Sequence, residues 1–383
     1  MSNKNKWIKV RFKDFVQNIT DRIDKPSESG LKYYVGLEHL DTDNIRIKRY
    51  GSPEEVNATK FIAKKGDIIF GKRRAYLRKV AITENDAVVS AHSMVLRPKG
   101  ELIYKDFLPC LLQSSLFWKA AHSISEGSLS PTIKWKTLSK QEFLIPPIEE
   151  QKRIAEILWS IENTLEKTEK LIEINKKLKK GLLNELLTKG IGHKKFKKTE
   201  IGEIPEEWPL VKIDEITENL DNKRKPITKS ERESGNIPYY GATGQVDSVK
   251  DYIFDEELLL VGEDCADFSS FGSTSYIING KSWVNNHVHV LRCSKINIIF
   301  LKEVINFLDL NKYVSGTTRK KLTKGNISDL RIPLPSQKEQ DKIVDFFSKT
   351  DHEKHELNLH LIKLQALKKK LTDEFLSGKL KLN

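Results

Sequence analysis

Residues 149–188 and 338–377 of this chain match one another without a gap at an offset of 189 positions. The shared positions include Glu150/Glu339, Gln151/Gln340, Ile154/Ile343, Lys179/Lys368, Leu182/Leu371, Glu185/Glu374 and Leu187/Leu376. A repeat of this kind constrains the fold more than any composition can, because one structural unit must serve twice. Both copies carry the alternating four-three spacing of a helical seam. In the second copy the seam is Ile343, Phe347, Thr350, Lys354, Leu357, Leu361, Leu364, Lys368, Leu371 and Phe375; in the first it is Ile154, Leu158, Ile161, Leu165, Thr168, Ile172, Asn175, Lys179, Leu182 and Leu186. A 40-residue helix is about 60 Å long and cannot bury such a stripe alone, so the two helices are expected to pack on each other. Ser336 followed by Glu339 predicts a capping box at the second helix, while Pro146, Pro147, Glu149 and Glu150 mark the start of the first.

The duplication reaches further back. Trp7, Val10, Phe12 and Phe15 recur in kind as Trp208, Val211, Ile213 and Ile216, each opening a block that closes on an Ile-Pro pair, Ile145-Pro146 or Ile332-Pro333. The predicted order is therefore a first head (1–145), a central helix (146–190), an exposed linker (191–204), a second head (205–333) and a C-terminal helix (334–383). Strand-like runs are GDIIF (66–70) and AVVSAHSMVLRP (87–98) in the first head, and ELLLVGED (257–264), TSYIING (274–280) and WVNNHVHVLRC (283–293) in the second. Helical stretches are expected over 104–122 and 298–313. The fold class is α+β: two dissimilar mixed heads on a pair of long helices.

The formal net charge of +13 points to a polyanionic partner. It is unevenly placed, with 26 Lys/Arg against 16 Asp/Glu in residues 1–145 and 17 against 19 in residues 205–332. Lys72, Arg73, Arg74, Arg78 and Lys79 surround Tyr76 in the first head; Lys223, Arg224 and Lys225 form a second cluster, and Arg319, Lys320, Lys321 and Lys324 a third. Arginine and lysine can bind phosphates and guanine edges, so these are the candidate DNA-binding residues.

Catalytic and metal motifs do not assemble. The run GDIIFGKR (66–73) matches a phosphate-binding loop except at its last position, where Arg73 cannot ligate magnesium. His287 and His289, two apart in an apparent strand, would share one face, with Glu263, Asp264 and Asp267 as potential co-ligands, but ordinary strand histidines are the simpler reading. His355 and His360 are five apart, not the four that a helical zinc pair needs, and His352 with His355 reads as solvated surface. Cys110, Cys265 and Cys293 form no CxxC pair and are expected to be small apolar residues, with no disulfide framework. No apolar run is long enough for a membrane span and MSNKNKWIKV has no signal-peptide core, so a soluble, cytoplasmic protein without a membrane partner is expected.

The segments IPPIEEQKRIAEIL and IPLPSQKEQDKIVDFF, with GDIIFGKRRAYLRKVA and SAHSMVLRP in the first head and IPYYGATGQVD, LLLVGEDCADF and WVNNHVHVLR in the second, resemble the specificity subunits of type I restriction-modification systems over nearly the whole chain. The resemblance implies two target-recognition domains separated by an antiparallel coiled coil with internal pseudo-two-fold symmetry. Each domain would read half of a split double-stranded DNA target, with helix length fixing the unread spacer. It further implies two modification (methyltransferase) subunits as partners, which carry S-adenosylmethionine and methylate adenine, joined by restriction (motor-nuclease) subunits. This chain would hold no cofactor and supply no chemistry of its own. Two rival readings are a coiled-coil scaffold whose basic surface is incidental and a metal nuclease built on His287 and His289.

Overall fold

A computed structural model describes residues 6–264, 267–316 and 320–380. The chain divides into two compact units, Met1–Glu169 with Leu359–Asn383, and Lys170–Asn358. Each unit thus contains one head and a share of both long helices, which run over Ile148–Thr188 and Gln337–Leu376.

In the first unit, Ile8–Arg11 pairs antiparallel with Glu142–Ile145, closing the head on itself just before the central helix begins. The short helix Phe12–Phe15 follows, and then a four-stranded sheet in the order Val16–Ile19, Ser93–Pro98, Ile68–Gly71, Val80–Ile82. A second sheet is ordered Arg22–Ile23, Lys60–Ala63, Ala87–Val89, Tyr33–Val35, with its last two strands parallel. The second unit repeats this plan. Leu210–Lys212 pairs with Arg331–Pro333, helix Ile213–Ile216 follows, and the first sheet is ordered Thr217–Asn219, Val288–Cys293, Leu258–Gly262, Ser275–Ile278. Its other sheet again places a strand, Lys281–Val284, between a parallel neighbour, Ile237–Gly241, and an antiparallel one, Phe254–Asp255. The heads differ in sequence but share the order of the first sheet and the parallel and antiparallel neighbours of the central strand in the second. The fourth strand of that second sheet lies beside the antiparallel neighbour in the first head (Arg22–Ile23) and beside the parallel one in the second (Gly244–Val249).

Several predicted elements are divided. The run 87–98 forms two strands in different sheets, separated by a turn at His92, and 283–293 divides likewise at His287. The stretch 104–122 is two helices, Phe107–Gln113 and Ser115–Ser123, because the Ser114 side chain caps the second by accepting from Phe117 N–H. Helix Ile298–Phe307 ends before 313. Within the expected linker, where residues 191–203 are exposed or half-buried, Phe196–Thr199 and Gly202–Pro205 form a hairpin.

The repeated Glu-Gln pair is the joint between head and helix. Gln151, 1% exposed, accepts from Tyr104 N–H at 2.7 Å and donates to the Leu102 and Pro146 carbonyls at 2.9 and 2.8 Å. Gln340, 2% exposed, accepts from Asn297 N–H and donates to the Pro335 carbonyl, both at 2.9 Å. Glu150 receives the Trp7 indole N–H at 3.0 Å, and Glu339 that of Trp208 at 3.1 Å. Glu339 also accepts from Ile191 N–H and meets His193 at 3.0 Å. Its carboxylate is therefore committed to the head and linker, and the predicted capping box with Ser336 does not form. Gly190 takes φ +64 here, and a Cβ would lie 2.5 Å from the Trp208 ring, so glycine is required on both counts.

The two helices run antiparallel within each unit. In the first, Lys368 meets Glu162 at 2.5 Å; in the second, Lys179 meets Asp351 at 2.8 Å. These pairs are equivalent under the 189-residue repeat. Lys179 also reaches Glu303 at 3.2 Å, and the Asn175 amide donates to Glu353 at 3.3 Å. Along the central helix Ile154, Leu158, Leu165, Ile172 and Leu186 are buried, with Ile161 and Leu182 half-buried. Along the other, Ile343, Phe347 and Phe375 are buried, with Leu357, Leu361, Leu364 and Leu371 half-buried. At the helix ends these residues merge into the head cores: Ile154, Leu158 and Phe375 pack with Phe12, Phe117 and Phe143, and Leu186, Ile343 and Phe347 with Ile213, Phe300 and Ile332.

Candidate nucleic-acid interface

The basic loop of the first head begins where strand Ile68–Gly71 ends. Lys72 N–H donates to the His92 carbonyl at 3.1 Å, and the Lys72 carbonyl accepts from Ile133 N–H at 2.8 Å, so the chain is pinned from both sides. Arg74 and Arg78 then adopt left-handed backbone, φ +56 and +49, on either side of the 3-10 turn Ala75–Leu77. Each such conformation costs a non-glycine residue about 1–2 kcal/mol. It is sustained by Ala75 N–H bonding to the Pro131 carbonyl and by Arg78 N–H closing the turn on the Ala75 carbonyl. Strain held in this way is a feature of functional loops.

The loop sorts its basic residues. Arg74 is exposed and makes no side-chain hydrogen bond or ion pair among the described residues, and Tyr76 is 56% exposed. Arg73 is also exposed; its Nε donates to Ser130 Oγ at 3.3 Å and its Nη1 lies 3.4 Å from His92 Nε2. Partial burial, then the charges of Arg73, Lys72 and Lys60, hold the His92 imidazole below its ordinary proton affinity, so its Nε2 is available to accept from the guanidinium. Lys72 is half-buried over the Phe61 ring, and burial, with Arg22, lowers its pKa. Arg78 pairs with Asp43 at 2.9 Å and donates to the Gln113 carbonyl, while Lys79 donates to the Leu37 carbonyl at 2.7 Å. These last two hold the loop; Arg73, Arg74 and Tyr76 face outward.

A neighbouring loop completes the surface. Glu126 and Thr132 exchange backbone hydrogen bonds, and Leu129 at the tip between them is 94% exposed. Charge-based reasoning passed over this loop; its turn-forming sequence GSLSP was the available signal.

The second head builds the same junction with acids. After strand Leu258–Gly262, Glu263 N–H donates to the His287 carbonyl at 2.9 Å and its carbonyl accepts from Leu322 N–H at 2.7 Å. Glu263 is met by Arg224 and Lys321, each at 3.3 Å. Arg224 further donates to the Val288 carbonyl at 2.7 Å, leaving its side chain only 16% exposed. Lys223 and Lys225 are exposed, the latter with its ammonium 6.0 Å from the Trp283 ring centre. Lys320 donates to Asn311, and Lys324 is exposed at the start of helix Lys324–Asp329. Arg319 and Cys265 lie outside the described residues.

The two strand histidines do not share a face. His287 stands in the turn before strand Val288–Cys293, with Nδ1 3.0 Å from Asp264. His289 is 1% exposed inside the strand; its Nδ1 is 2.6 Å from Asp221 and its Nε2 2.7 Å from the Leu322 carbonyl. Both of its nitrogens face acceptors, so the ring is fully satisfied as a core residue when it carries both protons. Burial pushes the Asp221 carboxyl up, but His289, the Val290 N–H and Arg224 outweigh that and hold it below the usual range. His352, His355 and His360 are exposed. Among the described residues no group of three or more His, Cys, Asp or Glu is placed to hold a metal ion. Burial pushes the Cys110 and Cys293 thiols up to about 12, which makes both poor nucleophiles. No helix among the described residues is long and apolar enough to cross a membrane.

This arrangement has relatives. The family model for the type I restriction modification DNA specificity domain matches residues 5–176 and again 205–369. A Methanocaldococcus jannaschii protein assigned as the type I restriction enzyme MjaX specificity subunit is 26% identical over 98% of this chain and 94% of its own length. The MjaVIII specificity subunit of the same organism is 30% identical over 57% of this chain and half of its own. Among solved structures, a chain from a study of complex assembly and conformational transition of the type I R-M system aligns with a TM-score of 0.61 over 98% of both chains at 18% identity. The type I restriction-modification S subunit from M. genitalium aligns with 0.59, over 98% of this chain and 97% of that one, at 15% identity. With both halves matched by one family model and the two-headed fold shared with S-subunit structures, the chain belongs to the DNA specificity subunits of type I restriction-modification systems.

Proposed function

We propose that each head reads one half of a bipartite, asymmetric double-stranded DNA target, and that the two long helices set the spacer between the halves. Two modification subunits dock on the scaffold, which offers equivalent surfaces twice. Those subunits carry S-adenosylmethionine and methylate adenine; restriction subunits join them for cleavage in the cytoplasm. This chain supplies the address and holds no cofactor.

One observation carries the reading: two heads with the same first sheet are locked to two copies of one helix by the same Glu-Gln joint, while the equivalent loops on those heads carry opposite charge. A scaffold alone needs the first property and gains nothing from the second. Two readers of different half-sites need both.

The test is a paired deletion of one heptad from each helix, which preserves the antiparallel register, in a complex reconstituted with modification subunits. Seven residues shorten a helix by about 10 Å, close to three base pairs at roughly 3.4 Å each. The methylated motif is expected to keep both half-sites and lose about three spacer positions. An unchanged spacer in an active complex would sink the ruler.

A further inference from the structure

The loops that follow Gly71 and Gly262 occupy one structural position. Gly71 is in register with Ser93 and Gly262 with Val288, each at the end of the equivalent strand pair. The next residue, Lys72 or Glu263, donates its N–H to the carbonyl of a histidine, His92 or His287, and accepts at its own carbonyl from Ile133 or Leu322. The residue after that, Arg73 or Asp264, meets the side chain of the same histidine, at 3.4 Å in the first head and 3.0 Å in the second. Two backbone hydrogen bonds and one side-chain pair are thus reproduced, with a cation exchanged for an anion.

The exchange reverses which partner is held and which is presented. In the first head Arg73 is exposed, and His92 and Ser130 occupy its Nη1 and Nε. Nη2 and the remaining Nη1 proton stay open, a planar pair of donors that matches two acceptors side by side. In the second head the anion is the hidden member: the Asp264 side chain is 4% exposed and that of His287 is 45% exposed. Asp264 takes up Nδ1, and Nε2 makes no hydrogen bond among the described residues, so the ring presents a single nitrogen outward.

We propose that this shared position sets base specificity in both heads, with Arg73 as the reader in the first and His287, oriented by Asp264, as the reader in the second. The inference rests on the reading of the heads as DNA-recognition domains and assigns them different base chemistry. A donor-only guanidinium selects the paired O6 and N7 acceptors of guanine in the major groove. An imidazole whose Nδ1 proton is held by a carboxylate offers Nε2 as an acceptor, which suits the exocyclic amino group of cytosine or adenine. The acidic character of the second head is then part of its selectivity, since a buried carboxylate behind the reader fixes the tautomer.

The experiment uses the whole complex with its modification subunits and maps methylated motifs genome-wide for the wild type, Arg73→Lys, Arg73→Ala, His287→Gln and His287→Ala. Arg73→Lys keeps the charge, so a phosphate contact survives and only the paired donors are lost. The expected result is one degenerate position, a guanine in the wild-type motif, with discrimination there reduced roughly tenfold or more. His287→Ala is expected to loosen one position in the other half-site, where the wild type requires cytosine or adenine on the contacted strand.

An unchanged motif in both alanine variants, loss of discrimination in the same half-site for both, or a uniform fall in methylation with the motif intact would overturn the proposal. Where a variant abolishes methylation, the assembled complex is titrated against duplexes carrying each base at each position. Relaxation at one base pair supports the proposal, and equally weakened binding to every duplex overturns it. The conservative Lys and Gln variants decide the matter if an alanine variant does not assemble. A host in which deleting the entire chain leaves the motif intact would instead sink the recognition role itself, a separate outcome.

Discussion

Replacing Gln151 by Ala tests the head–helix joint directly. The side chain is 1% exposed and serves three backbone groups: Tyr104 N–H and the Leu102 and Pro146 carbonyls. Leu102 is 40% exposed, so water can replace its partner, whereas the Tyr104 N–H and Pro146 carbonyl lose theirs in a confined space. An orphaned buried group costs about 1–3 kcal/mol, and two of them, relieved in part by water entering the vacated volume, give a loss of about 2–4 kcal/mol. For a unit of this size each kcal/mol moves Tm by roughly 2–4 °C, so calorimetry of the purified chain should show its first unit melting roughly 5–15 °C lower. Gln151→Glu keeps the acceptor for Tyr104 but sets a carboxylate oxygen against the two carbonyls. Protonation restores one donor, so this variant should recover stability on acidification from pH 8 to pH 5. A drop under about 2 °C for Gln151→Ala, or no acid recovery for Gln151→Glu, would show that the repeated glutamine is not a joint.

Other expectations follow from the same geometry. Lys368→Met should cost about 3 kcal/mol by leaving Glu162 uncompensated, and adding Glu162→Leu should restore most of it; equal losses in single and double variants would contradict a coupled pair. The Asp221 carboxyl is held below its ordinary value of 3.8, so its contribution is full above that pH and is lost as pH falls through the lower folded value. Asp221→Asn should therefore flatten the acid limb of urea-unfolding stability; an unaltered limb would remove Asp221 from the account. Arg74→Gly relieves left-handed strain of about 1–2 kcal/mol and adds about 0.5–1 kcal/mol of chain entropy cost, for a net gain of up to about 1.5 kcal/mol. Stability should rise while modification of the target falls, and a fall in both would show that Arg74 stabilises the loop.

The long helices were legible because their signal is local: a four-three spacing over ten positions carries its own periodicity. The repeated Glu150-Gln151 and Glu339-Gln340 were visible as identities, yet their role was hidden, since apart from the nearby Pro146 carbonyl the partners lie 47 and 49 residues away for Gln151 and 131 to 148 for Glu339. The kinship of the heads was obscured by shifting offsets. Trp7 corresponds to Trp208 at 201 positions, Arg97 to Arg292 at 195 and Phe143 to Ile332 at 189, so no ungapped comparison spans a head. The turns at His92 and His287 were read through as strand because neither contains Gly or Pro; their markers are the weaker ones of Ser90 and Asn285, whose side chains accept from His92 N–H at 3.3 Å and His287 N–H at 2.8 Å. Charge clustering found the loop 72–79, but only its backbone separates the outward Arg73, Arg74 and Tyr76 from Arg78 and Lys79, which are spent on carbonyls and Asp43. In the second head the same approach selected Arg224, whose guanidinium is largely covered, and gave no hint of the exposed His287.

If this chain supplies the DNA address of a modification complex, its removal must erase the methylated motif. Genome-wide adenine methylation, read by long-read sequencing in a host carrying the chain with a type I modification subunit and in one lacking only this chain, tests it most directly. The account predicts a split motif, two defined halves around an unread spacer, that vanishes when the chain is removed. The same motif persisting without the chain, with the methyltransferase active in both hosts, would contradict it.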